Sequence, residues 1–80
     1  MFYTSSVQLS VRNKIGSLAS ITTILENNNV NICNIKTTNC TQSTTQIIID
    51  IEISTLEQLN KIINILQSSQ DIISVKRVST

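Results

Sequence analysis

Few side chains in this sequence could do chemistry. They are two cysteines, Cys33 and Cys40, two near-neighbour carboxylates, Asp50 and Glu52, and a polar turn, Asn13-Lys14-Ile15-Gly16. Histidine is absent, so the commonest general base is missing. The cysteines stand seven positions apart in one predicted extended segment. That odd separation sets them on opposite faces of a regular strand, roughly 23 Å apart at about 3.3 Å per residue and beyond disulfide reach. Two thiolates without histidine fall short of a four-ligand zinc site, so no metal or cofactor is expected. Asp50 and Glu52 share a strand face with no nucleophile beside them, which describes a solvated sheet surface. The serines and threonines sit in no motif that supplies a base. One glycine is too few for a loop that cradles phosphate. Catalysis is not expected.

The turn is more informative. Backbone N–H groups at a helix start attract anions, carboxylates included. Gly16 lets a ligand's main chain come close, and Asn13 offers a donor and an acceptor beside it. Such a place suits the α-amino and α-carboxyl groups of an amino acid. The same residues also make an ordinary turn.

The elements that flank this turn follow from periodicity. Val7, Leu9 and Val11 alternate with Ser6, Gln8 and Ser10, predicting a half-buried strand over Ser6–Val11. Leu18, Ile21 and Leu25 recur at helical spacing, with Ile24 widening the stripe. Asn27-Asn28-Asn29 ends that helix, because Asn tolerates the left-handed conformation. A second strand is expected from Val30 to about Cys40. Its parity breaks between Ile32 and Ile35, which calls for a bulge or a later start. Thr41 to Ser43 read as a turn. Ile47, Ile49, Ile51 and Ile53 fill one face of a third strand, opposite Gln46, Ile48, Asp50 and Glu52. Ser54 and Glu57 are spaced as a capping box. The helix after them carries Leu56, Leu59, Ile63 and Leu66 on one stripe, broadened by Ile62 and Ile65. A last strand runs from about Ile72 to Val78, with Ile73 and Val75 on one side and Val78 on the other.

The order strand, helix, strand, strand, helix, strand predicts an α+β, ferredoxin-like βαββαβ fold. It has a four-stranded antiparallel sheet with the first and third strands central, and two helices on one face. Eighty residues make one domain, 1–80, with a core over about 6–79. A chain this short is marginally stable alone and gains from oligomerising or from being part of a longer chain. A net charge of +1, with its only aromatics at Phe2 and Tyr3, lacks the basic and stacking surfaces of a nucleic-acid binder. No apolar run reaches membrane-spanning length, and no secretion signal is visible. The expected compartment is the cytosol.

The stretch Val7 to Leu18, VQLSVRNKIGSL, with Val30-Asn31-Ile32 twelve residues on, resembles the ACT domain. In that family a strand leads into an Asn-or-Asp, Arg, Pro, Gly, x, Leu turn, and the second strand opens with Asn-Ile. The acidic-apolar IIIDIEI strand and the closing TLEQLNKIINILQSSQDIISVKRV are similar to the C-terminal ACT domain of RelA/SpoT enzymes, the synthetase/hydrolases of (p)ppGpp. The resemblance implies a non-catalytic regulatory domain, a homodimer, and an amino acid held between two copies. It places ligand contacts at Asn13, at Ile15, Gly16, Ser17 and Leu18, and at Asn31 and Ile32. Ile15 replaces the turn Pro and Lys14 the Arg. Val11 replaces a polar residue of serine-sensing members, which implies either a different ligand, such as a branched-chain one, or none. The implied partners are the catalytic domains of a parent pyrophosphokinase. The alternatives are an assembly module without a ligand, in which Ile62, Ile65 and Ile48 bury against another chain, and the regulatory domain of an amino-acid biosynthetic enzyme.

Overall fold

The computed structural model describes residues 2–13 and 16–78. Strand β1 spans Tyr3–Arg12, helix α1 Ser17–Asn27, β2 Asn31–Cys40, β3 Thr44–Ile53, α2 Leu56–Gln67 and β4 Ile72–Val78. The sheet order is β2-β3-β1-β4, antiparallel throughout, with β1 and β3 central as expected. β1 extends further back than its apolar alternation, because Tyr3, Thr4 and Ser5 continue the ladder opposite Ile53, Glu52 and Ile51.

One core lies between the sheet and the helices. Val7, Leu9 and Val11 meet Ile47, Ile49, Ile51 and Ile53 on the inner face, with Ile21 and Leu25 of α1 and Leu59, Ile62 and Leu66 of α2 above them. On α1 the buried ridge is Ser17, Ile21 and Leu25. At 100° per residue Leu18 stands about 60° off that ridge, and it is exposed rather than core. On α2 the ridge is Leu59, Ile62 and Leu66. Leu56 lies about 90° from its centre and is also exposed. Ile62 is thus buried within its own chain and is not available to a partner; Ile65 and Ile48 are half-buried.

Local chemistry sets the boundaries. Asn29 takes a left-handed φ of 59°, and Val30 N–H donates to Leu25 O at 2.9 Å, closing α1. The cap of α2 is one residue later than the Ser54–Glu57 spacing suggests. Thr55 is the N-cap, its Oγ1 accepting from Gln58 N–H at 3.1 Å, while the Gln58 Oε1 accepts from Ser54 N–H at 2.8 Å. Gln58 thus takes the place of the capping-box glutamate, but its side chain reaches back to Ser54, the residue before the cap, rather than to Thr55 itself. The broken parity of β2 is resolved by bulges: pairing with β3 skips Cys33 and Thr38. A shift between Ser10 and Val11 does the same to β4, where Ser74 pairs with Ser10 but Ile72 with Val11. Ile72 and Val75 therefore point inward and Ile73 outward, against the expected pairing of Ile73 with Val75.

Ile51→Ala removes a fully buried side chain and is expected to cost about 2–5 kcal/mol. Leu56→Ala is expected to stay within about 0.5 kcal/mol. Urea unfolding of the two variants reads the contrast, and equal losses would refute this core assignment. Thr55→Ala is expected to destabilise by about 1 kcal/mol and Ser54→Ala by clearly less, a ranking that the same titration checks.

Candidate ligand-binding site

Where β1 ends and α1 begins, the chain turns over the end of the sheet. Gly16 is the N-cap of α1, with φ 91° and ψ −5°. A Cβ there would meet nothing within 4 Å, so conformation rather than space calls for glycine. The cap supplies no side-chain acceptor and the first turn no carboxylate. The N–H groups of Ser17, Leu18 and Ala19 therefore have no intrahelical acceptor, and the positive end of the helix dipole is uncompensated by side chains there. Ser17 is buried, and its Oγ donates to Arg12 O at 3.0 Å, bracing the turn from inside.

Asn13 faces the β2–β3 turn. Its N–H donates to Ser43 O at 2.9 Å and its Nδ2 to Thr41 O at 2.9 Å, with a weaker contact to Cys40 Sγ at 3.8 Å. Thr45 Oγ1 also reaches Cys40 Sγ, at 3.4 Å. Beside these groups lies an open cleft of about 170 Å³, lined by Val11, Arg12, Asn13, Ser17, Leu18, Thr37, Thr45 and Ile47. Drug-sized ligands occupy about 300–1,000 Å³, so this cleft suits a small molecule. Val11, Leu18 and Ile47 give it an apolar floor, and Asn13 and the helix start give it polar walls. Leu18 is exposed because it covers this cleft rather than the core.

Of the residues expected from sequence, Asn13, Gly16, Ser17 and Leu18 come together here. Lys14 and Ile15 lie outside the described residues. Asn31 and Ile32 do not join them within one chain. Asn31 opens β2 opposite Glu52, and Ile32 pairs with Ile51 and packs half-buried on the core. Asn31 Nδ2 donates to Glu52 Oε1 at 2.8 Å. From Thr44, opposite Arg12, to Glu52 is eight positions along β3, or roughly 26 Å. Thr37 and Thr45 were not singled out from sequence, and Ile47 was read only as part of the inner face of the third strand. Their place depends on the β2–β3 register, which the two bulges hide.

The carboxylates remain surface groups. Asp50 Oδ1 accepts from Ser6 Oγ at 2.6 Å, and Glu52 is engaged by Asn31. Among the described residues no three potential ligands gather for a metal. Both cysteines are free and exposed. Among the described residues no helix is long and apolar enough to cross a membrane.

Known proteins bear the same stamp. The ACT-domain profile matches residues 1–77. The chain is 36% identical over 77 residues to the GTP pyrophosphokinase rsh of Brucella ovis and equally to that of Brucella abortus; this covers 96% of the chain but only 10% of each relative. In fold it is similar to the ACT domain of the Chlorobium tepidum GTP pyrophosphokinase, with a TM-score of 0.83 at 18% identity, over 98% of this chain and 100% of that one. It is also similar to the acetolactate synthase small subunit of Thermotoga maritima, with a TM-score of 0.84 at 15% identity, over 96% of this chain and 48% of that one. Strand order, turn and sequence relationship together place the chain in the ACT-domain family, related to the ACT domains of RelA/SpoT-type GTP pyrophosphokinases.

Proposed function

We propose that this chain is a regulatory domain that binds an amino acid between two copies and so controls a (p)ppGpp synthetase/hydrolase. The observation that carries the reading is the separation of its two polar half-sites. Asn13 stands beside Cys40 and Thr41 at one end of β2, and Asn31 opens the other end. β2 is an edge strand, exposed along nearly its whole length. An antiparallel second copy along that edge carries its Asn31 to the Asn13 end of the first, twice over by symmetry. The α-carboxylate of an amino acid then meets the open N–H groups of α1, and its side chain meets Val11, Leu18 and Ile47. That apolar floor favours a branched-chain residue over serine.

The sequence relationship to the pyrophosphokinases, at 36% identity, supports that parent over an amino-acid biosynthetic enzyme, for which only fold similarity speaks. One observation favours an assembly module without a ligand: the Asn13 amide is already committed to Thr41 O. On that reading Asn13 is a brace for the turn. Action in the cytosol belongs with either reading.

Thermal unfolding against a panel of amino acids separates the two. A ligand at 100 times its Kd stabilises by about 2.7 kcal/mol, which in a domain this small raises Tm on the order of 10–20 °C. The expected result is a rise with Val, Ile or Leu that Asn31→Ala abolishes while leaving the ligand-free Tm within a few degrees. A flat response across the panel would leave the assembly reading. Equilibrium sedimentation is expected to show a dimer; a monomer at every concentration would refute pairing along β2.

A further inference from the structure

We propose that Cys33 and Cys40 form a head-to-tail thiol pair between two copies, so that oxidation locks the paired edges together. The inference rests on the β2 pairing proposed above and adds a covalent control to it. Both thiols are free and exposed, and both lie on the one edge strand that the pairing uses. Within a chain they are too far apart to bridge: seven positions of extended strand span roughly 20 Å even with two bulges. A disulfide needs Cα atoms about 4.4–6.8 Å apart.

Between antiparallel copies the distance closes. Asn13 touches Cys40 and Thr41, so Asn31 of the second copy must arrive near that end for the half-sites to meet. When it stands opposite Gln42, one residue past Thr41, Cys33 of the second copy stands directly opposite Cys40. A register one position tighter sets Cys33 opposite Asn39 with its side chain on the other face, and one two positions tighter sets it opposite Thr38, about 7 Å along the strand from Cys40, so the bridge selects this register. Directly opposite residues of an antiparallel pair have Cα separations of about 4.5–5.5 Å, inside the disulfide range. Symmetry repeats the contact at the other end, giving two bridges per dimer. Cys33 is skipped in the pairing with β3, which frees its backbone to adjust to the bond.

The step balances as thiol–disulfide exchange. A low-molecular-weight disulfide is the oxidant: one cysteine sulfur displaces a small thiol, and the facing cysteine displaces the second. One S–S bond forms, one breaks, and the two small thiols carry away the two protons and two electrons. Cys40 Sγ accepts contacts from Asn13 and Thr45 at the cleft, so the bridge fixes the wall of the proposed ligand site.

The test uses the chain itself, exposed to oxidised glutathione and run without reductant. Wild type is expected to become a covalent dimer whose linked peptides join Cys33 to Cys40. C33S alone and C40S alone are each expected to give none, because like cysteines lie at opposite ends of the interface. An equimolar mixture of C33S and C40S is expected to restore a singly bridged dimer. Bridging by either single variant at the wild-type level, a bridge within one chain, or glutathione adducts only would each overturn the pairing of Cys33 with Cys40. Sedimentation of the reduced chain keeps the two ideas apart: a reduced dimer that fails to bridge sinks only the thiol pair, and a monomer sinks both.

Discussion

β1 and β3 run side by side through ten registered pairs, from Tyr3 opposite Ile53 to Arg12 opposite Thr44. On the inner face of that pairing Val7, Leu9, Ile49, Ile51 and Ile53 are fully buried, with Val11 and Ile47 nearly so. A one-residue slip would send the whole isoleucine row into water and bring Gln46, Asp50 and Glu52 inside. Such a slip is therefore excluded by far more energy than any surface contact supplies. The core contains no aromatic residue among those buried; it is built of β-branched and leucine side chains. β-branched residues suit the pleat, and their stiff χ1 rotamers lose little freedom when packed.

The candidate cleft sits where this pairing stops. At the Arg12–Thr44 end the inner face passes from core to cleft, and the same alternation that buries Val11 and Ile47 makes them part of its lining. Ser17, facing inward at the first turn of α1, uses its hydroxyl to hold the Arg12 carbonyl, so the helix start is fixed to the strand end. The outer face is laced by side-chain hydrogen bonds across strands, Ser6 to Asp50 and Asn31 to Glu52, which accounts for the carboxylates without assigning them a reaction.

Sequence and structure agree where a period is unbroken. The alternation of Val7 to Val11 and Ile47 to Ile53 specified the central strands and their inner face. The left-handed Asn after α1 was legible from Asn27-Asn28-Asn29. Disagreement clusters where one residue is inserted or a stripe drifts. The bulges at Cys33 and Thr38, and the shift that turns Ile73 outward, are set by cross-strand partners that local parity does not see. Leu18 and Leu56 fit a stripe by spacing alone, yet each stands to one side of the buried ridge. At the site, the Asn13 and Gly16 half was legible because turn chemistry is local. Thr37 and Thr45 were not, since they reach the cleft only through the hairpin register. Asn31 was readable as a residue of interest, but its distance from Asn13 emerges only when β2 is laid along β3.

The sheet has two outer edges, and they are not alike. β2 offers ten residues with a single charged side chain, Lys36, whereas β4 offers seven and carries Lys76 and Arg77 in succession. Charged side chains on an edge discourage strand addition, and a short edge gives an incoming strand little to hold. A sheet able to add strands at both sides would grow into a fibre. With one lightly charged margin and one guarded margin, the described sheet is open to an added strand on the β2 side and resists one on the β4 side, which works against open-ended growth.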